Sequence, residues 1–468
     1  MSDALCLKSL TEVAGLIRSS ALSSRELVEA QLARIEALDP RLHAYATVVA
    51  DEARRAAQRA DEQQAAGKPC GPLHGVPIAV KDLYDSAGVR TAAGMPLRGD
   101  HVPSSDATVL ARLRAAGAIL VGKLQMTEGA FSAHHPDVVA PINPWGEQYW
   151  PGVSSSGSGV ATAAGLCFGS LGSDTLGSIR FPSAANGITG LKPTWGRVSR
   201  AGVFPLAESL DHIGPMARTV ADVAAMLQAI AGPDAADPTA SNEPVPDYTA
   251  ALNRGVAGLR IGIDRQAVAT IAESSVAQVC AHAEQVLAGL GAEIVDISLP
   301  PLQAVATDAL QLCVAETAYT HRETYPSRRD AYGPVLAGLI DNGRKVDATT
   351  LIELGYRRAA FTAKIHAMFG SVDLILMPAM NRAAPTLDEL ARQITNLDER
   401  LARMAFTAPF DLSGHPCLTL PGGATEAGVP VAFQLMGAHF AEATVLAAGQ
   451  AFQQATQWHL QRPPLATD

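Results

Sequence analysis

Between Pro151 and Lys192 the chain carries nine Gly and eight Ser in 42 residues. Two serine clusters, around Ser154 and Ser178, flank an apolar, alanine-rich stretch at 158–166 that suits a helix. Flexible Gly/Ser linkers lack such apolar content. Glycine at this density lets backbone approach backbone or ligand closely, so the segment reads as a site built from main chain and hydroxyls. A serine hydroxyl needs a base beside it to act as a nucleophile. Histidine is the usual base, yet none lies between His135 and His212. The G-x-S-x-G elbow fails because Ser156 stands two residues after Ser154, and no Lys follows a Ser at the S-x-x-K spacing. Attention therefore passes to lysine, of which there are only seven among 36 basic residues.

Lys81 closes the run Gly75-Val-Pro-Ile-Ala-Val-Lys81-Asp82, which reads as a buried strand of the parallel-sheet kind. Burial lowers a lysine pKa, and a neutral amine can take a proton. The plain alternative is a lysine whose stem packs on the core while its head reaches water or pairs with Asp82. Other signals are weaker. Gly117-Ala-Ile-Leu-Val-Gly122-Lys123 imitates a phosphate loop, but Leu124 stands where a Mg²⁺-binding Ser/Thr belongs, and the intervening residues make a strand core. His134-His135 and six scattered Cys show no metal-ligand spacing. The expectation is no metal and no cofactor.

These residues fall in an order that resembles the amidase signature family. Gly75 to Asp82 matches its G-V-P-x-x-[VI]-K-D strand, and Gly152-Val-Ser-Ser-Ser-Gly-Ser158 its glycine–serine loop. Gly172-Ser-Asp-Thr-Leu-Gly-Ser178-Ile-Arg180-Phe-Pro182 matches its nucleophile motif. Further matches are Gly190 to Ser199, Ser209 to Met216, Gly414-His-Pro416 and Phe433 to Gly437, so the likeness covers roughly residues 5–465. The resemblance implies a Ser-Ser-Lys triad that hydrolyses amides. Ser178 would form the acyl-enzyme, Ser154 (after a cis peptide bond) would carry protons, and Lys81 would be the ultimate base. Ser155 is the alternative bridge. The main-chain N–H groups of Thr175, Leu176, Gly177 and Ser178 would form the oxyanion hole.

Val153, Ser156 and Leu176 stand where the family usually has Gly. A positive φ at Leu176 would cost about 1–2 kcal/mol, and its side chain would narrow the acyl pocket and retune substrate choice. Gln125, Met126 and Arg180 are the candidate substrate contacts; Arg180 either grips a substrate carboxylate or pairs with Asp174, which itself would hold loop main chain. Lys192 and His415 read as structural. The function implied is hydrolysis of a small-molecule carboxamide to carboxylate plus ammonia or amine. The alternatives are the glutaminase subunit of a tRNA-dependent amidotransferase and a hydrolase of carbamoylated ureas. A homodimer fits the family.

The rest of the chain must position these groups. With 468 residues, 48% hydrophobic and 18% charged, it is globular. A net charge of −10 and no basic run argue against nucleic-acid or anionic-membrane surfaces. No 18-residue uncharged apolar run and no leader-like segment occur, and six unframed Cys suggest reduced thiols in a cytoplasm. Ser9-Leu-Thr-Glu12 and Ser23-Ser-Arg-Glu26 are capping boxes, the second opening a helix with Val28, Leu32 and Ile35 on one face that stops before Pro40. A polar helix at 51–66 follows, and after Lys81 helices near 107–116, 217–232 and 276–290 alternate with strands at 118–121, 260–263, 293–297 and 374–377. This alternation predicts an α/β fold; the resemblance implies one domain over 1–468, a mixed central sheet surrounded by helices. Within it, 1–66 is an N-terminal helical segment, 67–230 the signature core and 247–468 a C-terminal α/β part. Segment 302–396 looks mostly helical and could cap the site.

Overall fold

Both capping boxes form as the sequence indicates: Ser9 and Ser23 accept the N–H of Glu12 and Glu26, which take the serine N–H groups in return. They open the helices Leu10–Arg18 and Ser24–Leu42, the latter burying Val28, Leu32 and Ile35. Pro40 does not end this second helix. It lies in the last turn, where its missing N–H removes one bond, and His43 closes the end in a left-handed conformation with its N–H on the Asp39 carbonyl.

The computed structural model describes residues 2–69, 71–393 and 396–466. Its strands are β1 (Tyr45–Val48), β2 (Pro77–Lys81), β3 (Ile119–Leu124), β4 (Gly169–Asp174), β5 (Thr189–Lys192), β6 (His212–Ala217), β7 (Arg260–Ile263), β8 (Glu293–Asp296), β9 (Leu374–Pro378), β10 (Cys417–Ala424) and β11 (Pro430–Gly437). They form one mixed sheet in the order β1-β3-β2-β4-β6-β5-β10-β11-β9-β7-β8. Parallel pairing joins β2 to β3 and β4, and β7 to β8 and β9; the remaining neighbours are antiparallel. The fold class is therefore α/β, with helices packed on the sheet, Ser156–Ala163 on β2, β4 and β6 and Glu442–Ala455 on β10 and β11.

All five residues of β2 are buried between β3 and β4, so Lys81 ends at the centre of this half of the sheet. Strands expected at 118–121, 260–263, 293–297 and 374–377 correspond to β3, β7, β8 and β9. The helix expected at 217–232 spans Val220–Ile230 because Ala217 is still in β6, paired with Gly169 of β4. Segment 302–396 contains the helices Leu302–Thr320, Pro334–Gly343 and Ala348–Met368, but also β9; residues 394 and 395 lie outside the described residues. The false phosphate loop is the core of β3. Lys123 is buried there, donating to the Tyr84 carbonyl and Thr91 Oγ1 at 2.7 Å and facing Asp82 at 3.4 Å. Among the described residues no helix is long and apolar enough to cross a membrane. Cys6, Cys167, Cys280, Cys313 and Cys417 are buried and form no disulfide, and Cys70 lies outside the described residues.

Candidate active site

Lys81 is completely buried, and its ammonium position faces hydroxyls rather than a carboxylate: Nζ donates to Ser154 Oγ at 2.6 Å and to Ser173 Oγ at 2.9 Å. Asp82, the partner in the plain alternative, is taken by Lys123 and by the Ala92 N–H. Burial brings the Lys81 pKa down to about 7, while the more distant charges of Asp174 and Asp211 pull it upward. At neutral pH this amine is poised between its two forms. Ser173 was not singled out from sequence, although it sits inside the Gly172-Ser-Asp motif at the end of β4, beside β2.

The loop carrying Ser154 enters through a cis bond between Val153 and Ser154. Its turn is set by Gly152 at φ +81°, where a Cβ would lie 2.4 Å from the Pro182 backbone. Ser155 does not reach Lys81: its Oγ is committed to Ser173, donating to the carbonyl at 3.2 Å and accepting the N–H at 3.3 Å. Ser178 sits opposite, its carbonyl accepting a 3.4 Å bond from the Ser155 N–H. Among the described residues its hydroxyl has no hydrogen-bond partner, and the residue lines a pocket.

Asp174 organises the loop between these points. Its carboxylate accepts the N–H groups of Gly177 (2.7 Å), Ile179 (2.9 Å) and Arg180 (3.1 Å). Burial raises its pKa, but the adjoining Arg180 outweighs that and holds it below the ordinary value. Gly177 is thus corrected as an oxyanion donor, because Asp174 already holds its N–H. The N–H groups of Thr175, Leu176 and Ser178 have no acceptor among the described residues. Leu176 adopts φ +71°, a conformation costing about 1–2 kcal/mol for a residue with a Cβ. Its carbonyl accepts a 2.7 Å bond from Thr407 Oγ1, and its side chain enters the pocket.

Three substrate contacts expected from sequence are corrected. Arg180 is fully buried, pairing with Asp174 at 2.8 Å and with Asp411, and donating to the Thr407 carbonyl at 3.0 Å. Burial raises the Asp411 pKa, and the Arg180 guanidinium sits between the two carboxylates. Gln125 and Met126 do not line the pocket. Gln125 uses its main chain to tie Ala44 to Gly157, and Met126 is buried in the core. The pocket beside Ser178 measures about 850 Å³, its mouth included, and is walled by Phe131, Trp150, Leu176, Phe181, Leu206 and Leu310, with Arg400 and Arg403 also facing it. Phe131 belongs to the expected 125–138 stretch and Leu310 to the helix Leu302–Thr320; Trp150, Arg400 and Arg403 carried no sequence signal.

Lys192 and His415 are structural neighbours: Lys192 Nζ donates to the His415 carbonyl at 2.6 Å. His415 belongs to the one His/Cys/Asp/Glu trio among the described residues that could hold an ion, with His366 and His439, their ligand atoms within 4.8 Å of one another. Its members come from three separate segments, so no spacing revealed it. None of them lines the Ser178 pocket.

A model of the family described as Amidase matches residues 26–446. The candidate amidase AmiD of Mycobacterium tuberculosis is 48% identical over 466 residues, 99% of this chain and 97% of that protein. A glutamyl-tRNA(Gln) amidotransferase subunit of Geobacter metallireducens is 39% identical, covering 95% of this chain and 96% of its own. The structure of 6-aminohexanoate cyclic dimer hydrolase complexed with substrate superposes with a TM-score of 0.89 at 26% identity, covering 98% of this chain and 99% of that one.

Proposed function

As this chain belongs to the amidase family and hydrolyses amide C–N bonds, we propose that Ser178 is its nucleophile and that Lys81 works through Ser154 as its base. Neutral Lys81 takes the Ser154 proton while Ser154 takes that of Ser178, whose Oγ adds to the substrate carbonyl. The N–H groups of Thr175, Leu176 and Ser178 receive the developing oxyanion; one such donor is worth about 3–4 kcal/mol of barrier. The protonated lysine then returns its proton through Ser154 to the leaving nitrogen as the C–N bond breaks. Water enters by the reverse relay and frees the carboxylate. The Ser154–Ser178 contact closes when substrate engages, as catalytic hydrogen bonds commonly tighten on binding. The observation that carries this reading is the fully buried Lys81 amine held on two serine hydroxyls at 2.6 and 2.9 Å.

The substrate is a small-molecule amide, and we place the protein in the cytoplasm, with buried cysteines that form no disulfide in support. A homodimer is the expected assembly. The likeness to the amidotransferase protein favours a second reading, release of ammonia from glutamine within a complex. Purified protein assayed for ammonia or acid release on a panel of amides separates the two: turnover of simple amides by the lone chain supports the first. Ser178→Ala and Lys81→Ala should each abolish that turnover with the fold retained by circular dichroism. Full activity in either variant sinks the assignment.

A further inference from the structure

The helix Leu397–Met404 presents Arg400 and Arg403, three residues apart and so on one face, to the pocket that contains Ser178. Neither guanidinium has an ion pair or a side-chain hydrogen-bond partner among the described residues. The nearby Glu399 accepts instead from Asn396 Nδ2 at 3.1 Å, and Arg382 is paired with Glu273 at 2.5 Å. Burial lowers the Arg403 pKa to about 10, the like charges of Arg400 and Arg382 add to that effect, and the Glu399 charge opposes it in part. Two guanidinium groups without a salt-bridge partner thus share a mostly apolar pocket that has no Asp or Glu among its described lining residues. An anion is what this arrangement lacks.

A Cβ at Gly177, next to the nucleophile, would lie 2.6 Å from the Phe181 ring. Phe181 and Trp150 follow with ring centroids 6.0 Å apart, and the Arg403 guanidinium lies 5.7 Å from the Trp150 centroid. Phe181 and Trp150 thus line the same pocket as Ser178 and the guanidinium pair. Resting on the amidase reading above, we propose that the substrate is an amide bearing a carboxylate, set apart from the scissile carbonyl by an apolar or aryl spacer. Arg400 and Arg403 bind that carboxylate; the planar guanidinium fork suits it, and Arg403 lies over the Trp150 ring, 5.7 Å from its centroid. Glutamine fits less well, since its ammonium group would meet two arginines and no acid.

The test compares terephthalamate with benzamide on the purified full-length enzyme. Wild type should show the higher kcat/KM for terephthalamate. The ratio of the two values should fall tenfold or more in Arg403→Met and further in the Arg400→Met/Arg403→Met double variant. Arg403→Lys should recover part of it, which a merely structural role would not do. In parallel, calorimetry should show terephthalate binding at least tenfold tighter than benzoate, with the difference lost in the double variant. An unchanged ratio in the variants, or equal binding of the two acids by wild type, overturns the proposal. If neither amide is turned over, the amidase reading has failed for these substrates, and the calorimetric comparison alone decides the anion site.

Discussion

The pH dependence of turnover follows directly from the burial of Lys81. An unperturbed lysine titrates at about 10.4, so at pH 7 roughly one molecule in a few thousand would hold a neutral amine. With burial bringing Lys81 to about 7, about half are neutral at pH 7, a gain on the order of a thousandfold in competent base. The proposed relay needs the deprotonated form, so on that reading activity should rise with pH. In the free enzyme, kcat/KM should climb about tenfold per pH unit below 7, lie roughly a hundredfold under its plateau at pH 5, and level off above pH 8. Ammonia release measured from pH 5 to 9, with samples returned from pH 5 to pH 8 to establish reversibility, gives the profile. Asp211, pushed up to about 6 by burial, ionises in the same range and could imitate the break. Asp211→Asn separates the two groups. Its charge favours protonated Lys81, so removing it should move the break to lower pH rather than erase it. A level profile from pH 5 to 9, or an unchanged break in a residually active Lys81→Met enzyme, would refute the reasoning.

Three other outcomes follow from the same geometry. Gly177→Ala places a methyl group against the Phe181 ring at φ +133°; displacement of the flanking N–H donors should lower kcat by about 10²–10³, read in steady-state assays. Arg180→Ala leaves Asp174 and Asp411 buried without their cation, and denaturant unfolding should show a loss of about 3–5 kcal/mol. Leu176→Gly relieves about 1–2 kcal/mol of backbone strain but gives up side-chain burial of similar size. Stability should therefore change little, while larger acyl groups gain in kcat/KM.

The buried lysine and the serine loop beside it were legible in the sequence because they depend on residue type and local chain geometry, while the roles assigned to them came from the family resemblance. A lysine closing a continuous apolar strand is buried whichever helices cover it, and the serine clusters belong to turns that glycine makes possible. Lys81 and Ser154 met accordingly. The α/β class followed from alternating helix and strand patterns, and the capping boxes marked two helix starts. Strands β4, β5, β6 and β10 escaped the residue patterns because Gly, Ser, Thr and Pro interrupt their apolar runs, and β11 because Gln434 breaks its own. Neighbouring strands and helices, rather than their own alternation, make them interior.

Tertiary structure alone decided which polar groups were already spoken for. Arg180 and the Gly177 N–H looked available along the chain, yet Asp174 claims both, and Asp411, 231 residues beyond Arg180, completes the ion cluster. Ser173 became a lysine partner only because β4 lies beside β2. The pocket joins Phe131, Trp150, Leu176, Leu310 and Arg403, residues that no sequence spacing connects. Reactive groups are specified by local chemistry, whereas a binding cavity is the space left between distant elements once they pack, and the chain order does not record that space.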